Sequence, residues 1–98
     1  MSKLPRNLPT RDPQARTFPS AWKNSYFRRN YDENRGGYVC PDCDKVFCGP
    51  ADFRRLEAEH IKPQADGGLT VWENLILLCK PCSLAKRKKD RARRRQSF

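Results

Sequence analysis

The chain has 98 residues, is 37% hydrophobic and 33% charged, and carries a formal net charge of +10. One small domain of that length is marginal on its apolar core alone, so an additional staple is expected. No run approaches the roughly 18 apolar residues of a membrane span, and the opening stretch M-S-K-L-P-R-N-L-P has no apolar segment of the secretory kind. These features predict an intracellular, cytoplasmic protein without a membrane partner, in which thiols stay reduced.

Residues 1–19 contain Pro5, Pro9, Pro13 and Pro19, which forbid a helix interior and predict an extended or disordered arm. Ser20 reads as the cap of a short helix running to about Tyr31. Trp22 and Tyr26 lie four apart on one face with Phe27 beside them, and Gly36-Gly37 would stop it. Its aromatics are expected to pack the helix on the domain. Tyr38 to Phe47 reads as two short extended pieces around a tight turn, the shape of a metal knuckle. Ala51 to Arg55 suits one helical turn, and Leu56 to Ile61 alternates like a strand that Pro63 ends. Gln64 to Leu69, with Gly67-Gly68, is a loop, and Asn74 opens a second, fully apolar strand over Leu75 to Leu78. From Ser83 onward propensity favours helix. Between Ala85 and Arg95 only Ala92 is apolar, so this part has no face to bury and its helicity should depend on the core or on phosphate. Three units follow: an arm (1–19), a stapled domain (20–86) and a basic tail (87–98).

Charge is unevenly placed. Residues 1–35 hold eight basic and three acidic side chains, residues 36–85 five and seven, and residues 86–98 eight and one. A slightly acidic middle between two basic ends is the footprint of a polyanionic partner, with nucleic acid the leading candidate. The tail is too one-signed for solubility alone.

The staple is in the cysteines. Cys40-Pro41-Asp42-Cys43 and Cys79-Lys80-Pro81-Cys82 are two C-x2-C turns 35 residues apart. Each turn offers two thiolates, and four soft ligands in a tetrahedron are what structural Zn²⁺ takes. Four thiolates leave no open position for water. Cys48 is the odd fifth cysteine, which argues against a disulfide framework and falls outside the ligand set.

Around these turns lie Glu59-His60-Ile61-Lys62-Pro63, Gly67-Gly68, Glu73-Asn74-Leu75 and Leu78-Cys79-x2-Cys82-Ser83-x2-Lys86. In order and spacing this set resembles the HNH endonucleases, specifically the small zinc-containing branch. The resemblance covers Tyr38 to Lys86, about half the chain. It implies an α+β fold with a ββα-metal (His-Me finger) core and a zinc ribbon-like site of four cysteines, which the N-terminal helix and the basic C-terminal helix read above would flank. It also implies a bacterial or phage-encoded enzyme that hydrolyses phosphodiester bonds of duplex DNA; charge without a base-reading element predicts low sequence specificity, and a homodimer would suit double-strand cleavage.

The resemblance implies roles residue by residue. His60 matches the general base, suited by a pKa near 6.5. Asn74 matches the residue that holds the histidine ring and its loop. Glu59 matches a carboxylate ligand for a catalytic Mg²⁺ or Mn²⁺. Lys86 and Arg87, with Lys88, Lys89 and Arg91 behind them, are placed to hold flanking phosphates. Ser83 departs from the pattern: the family most often has a second metal-binding histidine there, and a neutral hydroxyl is a weaker ligand. The alternative reading is therefore a catalytically weakened, zinc-containing nucleic-acid-binding module.

Overall fold

The computed structural model describes residues 4–95. Among these residues no helix is long and apolar enough to cross a membrane. Two antiparallel sheets and three helices make an α+β fold. Helix α1 (Ser20–Arg29) precedes a three-stranded sheet of β1 (Tyr31–Asp32), β2 (Gly37–Val39) and β3 (Val46–Phe47) in the order β1-β2-β3. A short helix, α2 (Gly49–Phe53), leads into the hairpin β4 (Leu56–His60) and β5 (Leu75–Cys79), and α3 (Lys80–Arg95) follows directly. The β4–β5–α3 unit is the ββα core expected from sequence.

The boundaries differ from expectation in ways that local chemistry explains. Pro19, not Ser20, caps α1: its extended backbone sets the entry, and its carbonyl accepts from the N–H of Trp22 at 3.0 Å. The helix stops at Asn30, whose backbone N–H and side-chain amide both bond to the Tyr26 carbonyl, at 3.0 and 2.9 Å. Gly36-Gly37 does not end the helix. It serves the β1–β2 hairpin, where Gly36 takes φ +80° and Asp32 Oδ1 accepts from the N–H groups of Asn34 and Arg35. The expected start of the tail, Arg87, lies inside an unbroken helix. Helix α3 continues to Arg95 without an apolar face, supported by ion pairs: Lys86 with Asp90 at 2.7 Å and Arg93 with Asp66 at 3.0 Å.

The core lies between the sheets and α1. Leu56, Leu75, Leu77 and Leu78 from the hairpin meet Trp22, Tyr38 and Phe47, all buried. Strand β5 is buried at four of its five positions, which explains its unbroken apolar run. Tyr38 ties the sheets together by donating its hydroxyl to the Leu77 carbonyl at 2.5 Å. Tyr26 and Phe27 pack against the Tyr38 ring with centroids 6.1 Å apart, so the α1 aromatics face the domain as expected.

Residues 4–19 form neither helix nor strand, yet they are not free of the domain. Leu4, Leu8 and Phe18 pack on the core. The carbonyls of Pro9 and Pro13 accept from Trp22 Nε1 at 2.6 Å and from the Thr70 N–H at 2.8 Å. A proline-rich strand of chain offers carbonyls in a fixed extended path, and here the domain bonds to them.

Candidate metal centre and catalytic cleft

The β2–β3 turn and the β5–α3 junction bring Cys40, Cys43, Cys79 and Cys82 together, with all four sulfurs within 4.8 Å of one another. Cys79 Sγ lies 3.9 Å from that of Cys40 and 3.7 Å from that of Cys43. A tetrahedron of 2.3 Å Zn–S bonds has edges of about 3.8 Å, so the donor set fits zinc. The first turn is shaped for this. Asp44, at φ +64°, donates its N–H to the Cys40 carbonyl, and Cys40 N–H reaches Lys45 O. Burial disfavours the Cys40 thiolate, but backbone N–H groups of Cys79, Asp42 and Cys43 more than offset this and lower its pKa. For Cys79, burial and the neighbouring sulfurs act the other way and raise it. A central cation would relieve that crowding. Cys48 is exposed and outside the cluster.

The second site lies at the other end of the β4–β5 hairpin. Glu57 and Glu59, two apart on β4, face the same way, and α3 packs on that side. Ser83, fully buried in the first turn of α3, donates its hydroxyl to Glu59 Oε2 at 2.5 Å, with Glu57 Oε1 at 3.3 Å. One turn further along α3, Arg87 Nη2 lies 2.6 Å from Glu57, 2.8 Å from Glu59 and 3.2 Å from the Ser83 oxygen. The structure thus brings Ser83 against both Glu59 and Glu57 by hydrogen bonds. Carboxylate and hydroxyl oxygens are the hard donors that Mg²⁺ or Mn²⁺ takes, so Glu59 and Ser83 fit such an ion. A guanidinium nitrogen already bridges these oxygens.

His60 ends β4 opposite Leu75. Its imidazole and the Glu59 carboxylate line one cleft of about 260 Å³, together with Lys86, Arg87, Arg91 and Arg94. Burial pushes the imidazole below the ordinary histidine pKa of 6.5; Glu59 pulls it back up and Lys86 pushes it down further. The ring lies 4.3 Å from that of Phe18, and Nε2 is 2.8 Å from Thr70 Oγ1. Asn74 holds the loop after β4: Lys62 N–H donates to its Oδ1 at 2.8 Å, and its Nδ2 donates to the carbonyls of Lys62 and Leu69. The ring itself is bonded by Thr70. Gly68 belongs to the same closure, because a Cβ there would lie 1.8 Å from the Lys62 carbonyl oxygen.

The basic residues divide. Arg91 lines the cleft, Lys86 is both cleft wall and partner of Asp90, and Arg87 sits on the carboxylates. Lys88 and Lys89 are exposed and outside the cleft. Sequence reasoning missed Glu57, Thr70, Phe18 and Asp90. The two-residue spacing of Glu57 and Glu59 in a strand was a usable signal, as was Asp90, the lone acid among residues 86–98.

Residues 40–89, half of the chain, match the family model described as HNH endonuclease. The chain belongs to the HNH endonuclease family, and its ββα core and four-cysteine cluster are those of that fold. Membership implies a nuclease or nucleic-acid-binding function in general. No curated protein and no solved structure matches the chain significantly.

Proposed function

We propose that the protein is a metal-dependent endonuclease that hydrolyses phosphodiester bonds of DNA, with His60 as general base. The observation that supports it is the single cleft on which the imidazole, the Glu59 carboxylate and four basic side chains converge. His60, mostly neutral at pH 7 by virtue of its lowered pKa, takes a proton from water as the oxygen attacks phosphorus. Lys86, Arg87 and Arg91 hold the non-bridging and flanking phosphate oxygens. Glu59 and Ser83 would hold Mg²⁺ or Mn²⁺, which when bound neutralises charge building on the phosphate and the departing 3′ oxygen. Zinc on the four cysteines is structural. The substrate is duplex DNA with little sequence preference, because the cleft offers charge and no base-reading element. The setting is cytoplasmic, and a homodimer would place two cleft units on opposite strands.

A second reading has its own support: Ser83 in place of a stronger ligand, and Arg87 bonded to the carboxylates. On this reading the chain binds nucleic acid without cutting it.

Nicking of supercoiled plasmid by the purified chain with Mn²⁺ or Mg²⁺ separates the two. The expected result is metal-dependent nicking that His60→Ala reduces by about 10²- to 10⁴-fold. Nicking that His60→Ala leaves untouched would come from a contaminant. Salt-sensitive binding without nicking would select the second reading. The rate should also fall as pH drops through the His60 pKa, with a midpoint below 6.5 because burial disfavours the charged ring.

A further inference from the structure

None of the roles implied by the family resemblance falls on Thr70. It is fully buried, and its hydroxyl has one proton to give. That proton goes to the Ala15 carbonyl, 2.5 Å away, since a carbonyl can only accept. The Thr70 oxygen must then accept from its other neighbour, His60 Nε2 at 2.8 Å. The chain of bonds has one direction only: Nε2–H to Thr70, Thr70 O–H to Ala15. The Ala15 carbonyl is itself held by the Gln64 side-chain amide at 2.7 Å, and Thr70 N–H is bonded to Pro13 O. Phe18 covers a face of the imidazole. Every one of these anchors lies on the N-terminal arm or on the loop that returns to it.

We infer that Thr70 and the Ala15 carbonyl fix the tautomer and orientation of His60, making the N-terminal arm a working part of the catalytic cleft. The arm acts through the ring: Nε2 is committed as a donor, and Nδ1 keeps the lone pair that a general base needs. The consequence for rate rests on the nuclease reading; the consequence for the ring does not. Thr70 is a positioning residue, and its loss leaves the imidazole present but free to exchange tautomers.

The test uses the full chain, labelled with ¹⁵N. His60 is the only histidine, so its two ring nitrogens give one unambiguous pair of resonances. In mildly alkaline solution Nε2 should appear as the protonated, pyrrole-type nitrogen and Nδ1 as the bare, pyridine-type one. Thr70→Val should shift both toward the averaged values of a free ring, and Thr70→Ser should restore them. Plasmid nicking should fall about 10- to 100-fold in Thr70→Val with DNA affinity unchanged, and recover in Thr70→Ser. A wild-type spectrum with Nδ1 protonated, or with both nitrogens averaged, would overturn the inference without any variant, so it stands or falls even if Thr70→Val does not fold. A wild-type chain with the expected tautomer but no nicking would overturn the nuclease reading and leave the positioning role intact.

Discussion

The cysteine cluster and the His60 cleft sit at opposite ends of one hairpin: Cys79 closes β5 opposite Leu56, and His60 closes β4 opposite Leu75. The first takes all four sulfurs from two four-residue turns and one chemistry, and four thiolates would leave a bound ion no open position for water. The second draws on the arm, β4, the loop to Thr70 and α3, and mixes imidazole, carboxylate, hydroxyl and guanidinium. A hairpin held rigid at the cysteine end can present a polar, partly open site at the other. The comparison predicts that the two ends are separable: one carries stability and the other carries chemistry.

The largest expected effect is at the cysteine end. Structural zinc contributes on the order of 10 kcal/mol to small modules, comparable to the whole stability of a domain, about 5–15 kcal/mol. Purified protein should carry one zinc per chain by elemental analysis. Chelation, or Cys79→Ser, should abolish the cooperative thermal transition, while Cys48→Ser leaves it in place. His60→Ala should remove activity with zinc content and melting behaviour kept. If His60→Ala also released zinc, the two ends would not be separable.

A smaller effect is expected at Ser83, the point where the cleft departs from its family pattern. Its hydroxyl reaches Glu59 at 2.5 Å, so the position does face the carboxylate. Ser83→His should lower the Mn²⁺ concentration needed for half-maximal nicking by about tenfold, equivalent to about 1.4 kcal/mol of metal binding. An unchanged metal requirement would take this position out of metal binding. Ser83 is fully buried, so melting temperature must be followed in parallel to see that the larger ring is accommodated.

The same contrast explains what could be read beforehand. The two C-x2-C turns were legible because ligand type and spacing are local, and β5 because four apolar residues in a row suit a strand buried on both faces. Glu59, His60, Asn74 and Ser83 emerged through the order of a motif; the first two lie on β4, Asn74 just before β5 and Ser83 in the first turn of α3. Thr70 gave no signal: its hydroxyl bonds Ala15, 55 residues away, and that pairing exists only once the arm has folded back. The reach of α3 was under-read for a related reason. Its support comes from ions rather than an apolar face, and Asp66, which pairs with Arg93 and Arg94, lies in a distant loop.

The smallest effect, and the finest test of how the cleft differs from the closed cluster, concerns Arg87. Its guanidinium bridges Glu57 and Glu59, and any cation brought to Glu59 must compete with it. Arg87 is about half exposed, so solvent screens the pairs and each is worth only about 0.2–1 kcal/mol. Arg87→Met should therefore strengthen Mn²⁺ binding to the DNA-free protein by about two- to fivefold, read by titration calorimetry on the zinc-loaded chain. The same substitution should weaken plasmid binding and reduce its salt slope by about 1, because one phosphate contact is lost. Opposite signs for metal and DNA would mean that Arg87 trades carboxylate for phosphate when DNA arrives, freeing Glu59 at the moment a metal is needed there. If Mn²⁺ affinity fell along with DNA affinity, Arg87 would instead be holding Glu59 in place, and the guanidinium would be as fixed a part of its site as the cysteines are of theirs.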